Sequence, residues 1–205
     1  MKYLFSDFRC SQRGILVNHL MGLGKTIIIA FVSMIFEKQD IVILTQKTLH
    51  QNIRDTINLM FEKGYPEKST DERTKLVKDI LDRMDFVSLD AYNVSTKITE
   101  SNFGSGVSLQ NKIIIVDEAH NLFRAIVNSN NEQTNAQKIY HMIMNTPNVK
   151  LIFLTGTPIS KDPFEIVPCF NMLAGEHLLP EEYDVFQRSY LLNNTITNRE
   201  LLKNR

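Results

Sequence analysis

Four runs of apolar residues recur along the chain with almost no polar residue inside them: "GILVN" (14–18), "IVILT" (41–45), "KIIIVD" (112–117) and "VKLIFLT" (149–155). A strand with one wet face would alternate apolar and polar positions. Unbroken runs predict strands covered on both faces, as in a parallel sheet between two helical layers. A weaker run, "DFVSL" (85–89), is a candidate fifth strand.

Between these runs the apolar period changes to that of helices. Leu49, Ile53, Ile57 and Met60 fall on one stripe and predict a helix over about 48–62. Val77, Ile80, Leu81 and Met84 form a second stripe, and Ser69 with Glu72 makes a capping box ahead of it. Ala136, Ile139, Tyr140, Ile143 and Met144 mark a third. "TIIIAFVSMIF", directly after the first run, predicts a helix packed on the sheet. Strands alternating with helices indicate an α/β fold, doubly wound, with a mainly parallel central sheet and helices on both faces.

After the last strand the pattern stays helical. Asp162 and Pro163 suit an N-cap and first helical position, Glu165 follows three residues past the cap, and Pro168 is expected to kink or split the segment. A second helix start is read at Pro180-Glu181-Glu182. The polar stretches 102–110 and 128–135 read as surface loops. No internal repeat or linker divides the chain, so residues 1–205 are expected to form one unit, with 160–205 as a helical exit segment.

Composition narrows the class. A chain of 205 residues buries roughly 70% of its extended surface on folding and needs no covalent staples. The 23 basic and 23 acidic residues cancel, so any nucleic-acid contact must come from a local patch. Cys10 and Cys169 lack C-x-x-C spacing. That excludes a zinc ribbon and a disulfide framework and suits a reducing compartment. Asp7 and Arg9 interrupt the N-terminal apolar stretch too early for a signal peptide. The longest apolar run falls short of the ~20 residues of a membrane span, so a soluble intracellular protein is expected.

Chemistry concentrates at three strand ends. "HLMGLGKT" joins the first strand to the first helix: His19, Leu20, Met21, Gly22, Leu23, Gly24, Lys25 and Thr26. A phosphate loop reads G-x-x-x-x-G-K-[ST], and His19 occupies the place of its first glycine. Gly22 and Gly24 let backbone N–H groups approach phosphate oxygens, and the helix N-terminus adds about half a positive charge. Lys25 would reach the β- and γ-phosphates of ATP, and Thr26 would offer its hydroxyl to Mg²⁺. Alternatively, G-K-T is a chance match or caps an ordinary helix.

"IIIVDEAH" (113–120) ends a core strand in two acids. Asp117 can hold Mg²⁺ through water and Glu118 can polarise an attacking water; the plain alternative is that Asp117 caps the next helix. "LTGTP" (154–158) ends another strand in hydroxyls. Thr155 and Thr157 could sense the γ-phosphate, or the segment could be a simple turn. Of eight glycines, three (Gly22, Gly24 and Gly156) fall in these segments.

With the three segments in this order, the sequence resembles the first RecA-like domain of a superfamily 2 helicase or translocase of the DEAH-box type. "MGLGKT", "VDEAH" and "LTGTPI" resemble motifs I, II and III, most closely in the Swi/Snf-like branch. That branch commonly has aspartate at the position of His19, so the loop reads as a family variant. The likeness runs from about residue 13 to residue 190. The tail is also similar to that of the early-transcription-factor and nucleoside-triphosphatase I helicases of large cytoplasmic DNA viruses, which implies a location in the viral factory or virion.

The resemblance implies roles. Lys25 and Thr26 bind phosphates and Mg²⁺, Asp117 binds the metal, Glu118 is the catalytic base, and His120 couples hydrolysis to movement. Thr155 and Thr157 belong to the coupling motif. "LTQKTL" (44–49) resembles motif Ia, which implies that Thr45 and Lys47 contact the backbone of DNA or RNA, although a lysine at a strand end is equally often merely solvated. "SLDAYN" (88–93) stands where motif Ib would be. The adenine-reading segment upstream of motif I and the second RecA-like domain, with its arginine finger, are not visible. The expected function is an ATP-hydrolysing motor domain that works with a second RecA-like domain. The alternatives are a non-catalytic regulatory subunit of a transcription complex and another P-loop ATPase of the AAA type.

Overall fold

The computed structural model describes residues 13–19, 24–36, 38–89, 97–98, 109–129, 131–159, 161–192 and 195–196. Five strands form one sheet: β1 (Gly14–Asn18), β2 (Ile41–Thr45), β3 (Met84–Ser88), β4 (Ile113–Asp117) and β5 (Lys150–Thr155). All neighbours are parallel, in the order β1-β5-β4-β2-β3. The helices are α1 (Lys25–Ile35), α2 (His50–Gly64), α3 (Thr70–Leu81), α4 (His120–Val127), α5 (Asn135–Asn145), α6 (Ile166–Ala174) and α7 (Tyr183–Tyr190). A short antiparallel pair, β6 (Leu191–Leu192) and β7 (Thr195–Ile196), follows α7.

The unbroken apolar runs are explained by two cores, one on each face. Successive strand residues point to opposite sides. Ile41, Ile43, Ile113, Ile115, Ile152 and Leu154 pack on one face with α1, α2 and α3. Val42, Leu44, Ile114, Val116, Leu151 and Phe153 pack on the other with α4, α5 and α6. A smaller cluster of Phe164, Ile166, Val167, Leu179, Phe186 and Tyr190 joins α6 to α7. No described helix is long and apolar enough to cross a membrane.

Local chemistry sets the element ends. The Ser69–Glu72 capping box starts α3 as expected. Thr134 caps α5 by accepting from the Gln137 N–H. The C-terminal carbonyls of α1 accept from a distant side chain: Arg83 donates to Phe36 O at 2.7 Å and Ser33 O at 3.2 Å. Close approach fixes Gly14, where a Cβ would lie 2.5 Å from the Leu151 carbonyl oxygen.

Some boundaries differ from expectation. Met84 opens β3 rather than closing the α3 stripe, because the helix stops at Leu81; its side chain still reaches the same core. The break expected at Pro168 falls upstream. Residues Pro163–Glu165 form a 3₁₀ turn, and Pro168 is in the first turn of α6, where no helical partner needs its missing N–H. Leu20, Met21, Gly22 and Leu23, most of the candidate motif Ib segment (90–93) and most of the 102–110 loop lie outside the described residues.

Candidate active site

Strand order brings the three chemical segments to one edge. In a parallel sheet every C-terminal strand tip lies on the same side, and β5 stands between β1 and β4. The ends of "GILVN", "IIIVD" and "LIFLT" are therefore adjacent. The His19 N–H donates to the Thr155 carbonyl at 2.9 Å, and the Ala119 N–H donates to that of Leu154 at 3.0 Å.

Lys25 is the first residue of α1. Gly24 precedes it at φ 91°, a left-handed conformation that glycine adopts without steric cost. The Lys25 ammonium forms an ion pair with the Glu118 carboxylate. The two residues lie far apart in sequence but on neighbouring segments of the same edge, and both side chains are largely buried. Thr26 is half-buried in the first turn of α1.

Asp117 ends β4 with 7% of its surface exposed. Its Oδ1 accepts from the Glu118 N–H at 3.1 Å, and its Oδ2 accepts from the Thr45 hydroxyl at 3.1 Å. Burial pushes the Asp117 carboxyl above its ordinary range, opposed by the Lys25 charge and the Thr45 hydrogen bond and reinforced by Glu118. Glu118 has φ 47°, uncommon for a residue with a side chain. Such a conformation costs about 1–3 kcal/mol and clusters at functional sites.

His120 opens α4 and sits between two groups. Its Nδ1 lies 2.9 Å from Thr155 Oγ1 and 3.4 Å from Glu118 Oε2. The Thr155 hydroxyl also caps the following turn: it accepts from the Thr157 N–H at 3.1 Å and donates to the Thr157 carbonyl at 3.2 Å. Thus Lys25, Glu118, His120 and Thr155 form one continuous polar chain across three strand tips.

The donor set fits magnesium and a nucleoside triphosphate. Asp117 is a desolvated carboxylate that gains from a nearby cation. Lys25 supplies a positive charge at the N-terminus of a helix, where anions are favoured. His19 Nδ1 is buried and has no partner among the described residues. A cavity of about 310 Å³ opens beside the carboxylates, lined by Thr45, Gln46, Leu89, Asp117, Glu118 and Asn121.

Thr45 is 1% exposed, and its hydroxyl donates to Asp117. The pairing of Leu44 with Val116 sets the next residues, Thr45 and Asp117, side by side. Lys47 is exposed in the 3₁₀ turn after β2, apart from the polar chain. The Lys25–Glu118 pair and the Thr45–Asp117 bond are not apparent from sequence, because each depends on strand order.

Comparison with known proteins bears on the family and the fold. The family model described as "Type III restriction enzyme, res subunit" matches residues 2–160. The termination factor NPH-I homolog of African swine fever virus is 43% identical over 198 residues, covering 95% of this chain and 27% of the relative. Nucleoside triphosphatase I of Melanoplus sanguinipes entomopoxvirus is 32% identical over 105 residues, covering 49% of this chain and 15% of the relative. The Sulfolobus solfataricus SWI2/SNF2 ATPase core in complex with dsDNA superposes with a TM-score of 0.54 at 21% identity, covering 86% of this chain and 34% of that one. The chain thus spans about a quarter of the length of the viral termination factor homolog.

Proposed function

We propose that this chain, which belongs to the type III restriction enzyme, res subunit, family, is the first RecA-like domain of a superfamily 2 helicase and the ATP-binding and ATP-hydrolysing domain of a nucleic-acid motor used in transcription by a large DNA virus. The observation that carries this reading is the polar chain Lys25–Glu118–His120–Thr155 beside the buried Asp117.

Thr26 and Asp117 would hold Mg²⁺, which neutralises charge on the phosphates during transfer. The loop 19–26 and Lys25 bind the phosphates. To do so Lys25 exchanges the Glu118 carboxylate for phosphate oxygens, and Glu118 is released. Glu118 then orients a water and accepts its proton. His120, between Glu118 and Thr155, passes the change in Glu118 to the β5 tip and the Thr155–Thr157 turn. The names of the viral relatives support a role in transcription, and the dsDNA complex of the structural neighbour supports a nucleic-acid track, DNA or RNA.

A second RecA-like domain, in the same longer protein or supplied in trans, would complete the site. An arginine finger from it is worth about 10³–10⁵ in rate. Without that domain the chain is expected to bind Mg-ATP weakly and turn it over very slowly.

The direct Lys25–Glu118 ion pair favours a second reading, because it occupies the phosphate-binding ammonium with the base. In that reading the domain is a regulatory subunit that does not cycle. ATPase assays on the chain joined to a second RecA-like domain, with and without DNA or RNA, decide between them. The motor reading expects stimulation by nucleic acid that is lost in Glu118→Gln, while nucleotide binding is retained. No stimulation in a folded protein with intact motifs would contradict it and favour the regulatory reading.

A further inference from the structure

The last residue of β2 is a candidate for work that its neighbours cannot do. Thr45 is surrounded by core, with Leu44 before it buried on one face and Ile43 on the other. A hydroxyl in such a place needs a partner, and the partner here is Asp117 Oδ2 at 3.1 Å. The second oxygen of the same carboxylate is held by the Glu118 N–H. The two donors come from different strand ends, so together they fix the rotation of the carboxylate about its own axis.

We propose that Thr45 is a positioning residue for the metal site: its hydroxyl orients Asp117 so that the carboxylate presents its remaining lone pairs to a hydrated divalent cation. Hydrogen bonds to a ligating carboxylate from outside the coordination sphere typically contribute 10–100-fold to metal affinity. Thr45 and Asp117 both line the cavity of about 310 Å³ that also exposes Glu118 and Asn121. The next residues, Gln46 and Lys47, are exposed. Thr45 thereby ties the metal ligand to the surface turn that follows β2.

This inference rests on the nucleotide-binding reading, and its test separates the two. Mn²⁺ binding to the full chain in the presence of ADP is measured by the loss of the free Mn²⁺ resonance signal, and binding of ADP alone by calorimetry in chelator. Thr45→Val keeps the shape and removes the hydroxyl. It is expected to weaken Mn²⁺ binding about 10-fold or more and to leave metal-free ADP affinity within about 2-fold of wild type, whereas Thr45→Ser restores Mn²⁺ binding. Should valine not be accommodated, Thr45→Ala makes the same comparison with Thr45→Ser. Equal Mn²⁺ affinity in wild type and the hydroxyl-free variant would overturn the positioning role and leave the nucleotide site standing. No ADP-dependent Mn²⁺ binding by wild type would overturn both.

Discussion

Asp117 is held where its charge is poorly solvated, and that gives a pH signature. Its carboxyl is raised above the ordinary value of 3.8, first by burial. A group raised in this way favours the folded state while protonated, and the contribution is lost as pH rises through the shifted value. Asp117→Asn removes the buried charge. In metal-free buffer the variant should therefore be more stable to urea than wild type at neutral pH, with the difference shrinking as pH falls toward 3.8. A difference that grows in acid would contradict this account of the site. The residues gathered at the strand tips were legible from sequence as candidates where residue type and strand-end position coincide, as for Lys25, Asp117, Glu118, His120 and Thr155. The Thr45–Asp117 hydrogen bond was not legible, since a threonine closing an apolar run looks the same whether it faces solvent or a buried acid.

The elements themselves were legible because their periods are physical. Parallel strands buried on both faces have no polar alternation, and the helices between them carry one apolar stripe each. The strand order was not legible, because β2 is second in the chain yet pairs with β4 and β3. Nor was the way the chain turns from α6 into α7. There Asn171, fully buried, donates to the Leu179 carbonyl at 3.1 Å and to the Tyr140 hydroxyl at 3.3 Å, and accepts from the Leu179 N–H at 2.8 Å. The Tyr140 hydroxyl in turn donates to Glu181. Asn171→Ala would strand buried groups and should cost about 2–3 kcal/mol. Ser69→Ala removes only the exposed cap of α3 and should cost about 1 kcal/mol. Equilibrium urea unfolding of the two variants checks the ranking. Equal or reversed losses would mean that the 176–182 segment is not pinned through Asn171.

At the scale of the molecule, the sheet works as a bracket that holds three strand tips in one place. Net charge is zero, so the site owes nothing to a bulk field and everything to local groups. In the proposed reading an ammonium and a helix N-terminus face the anion, and a buried acid with a neighbouring hydroxyl faces the cation. This arrangement suits a charged ligand that carries its own metal. The chain covers 27% of the African swine fever virus relative, and the proposal assigns translocation, track choice and rate to the longer assembly and nucleotide binding to this domain. The domain's share is testable alone. Calorimetric titration of the folded chain with Mg-ATP, alongside Lys25→Ala, tests the claim most directly. Binding by wild type and its loss in the variant is the predicted result, and equal binding by both would contradict the assignment.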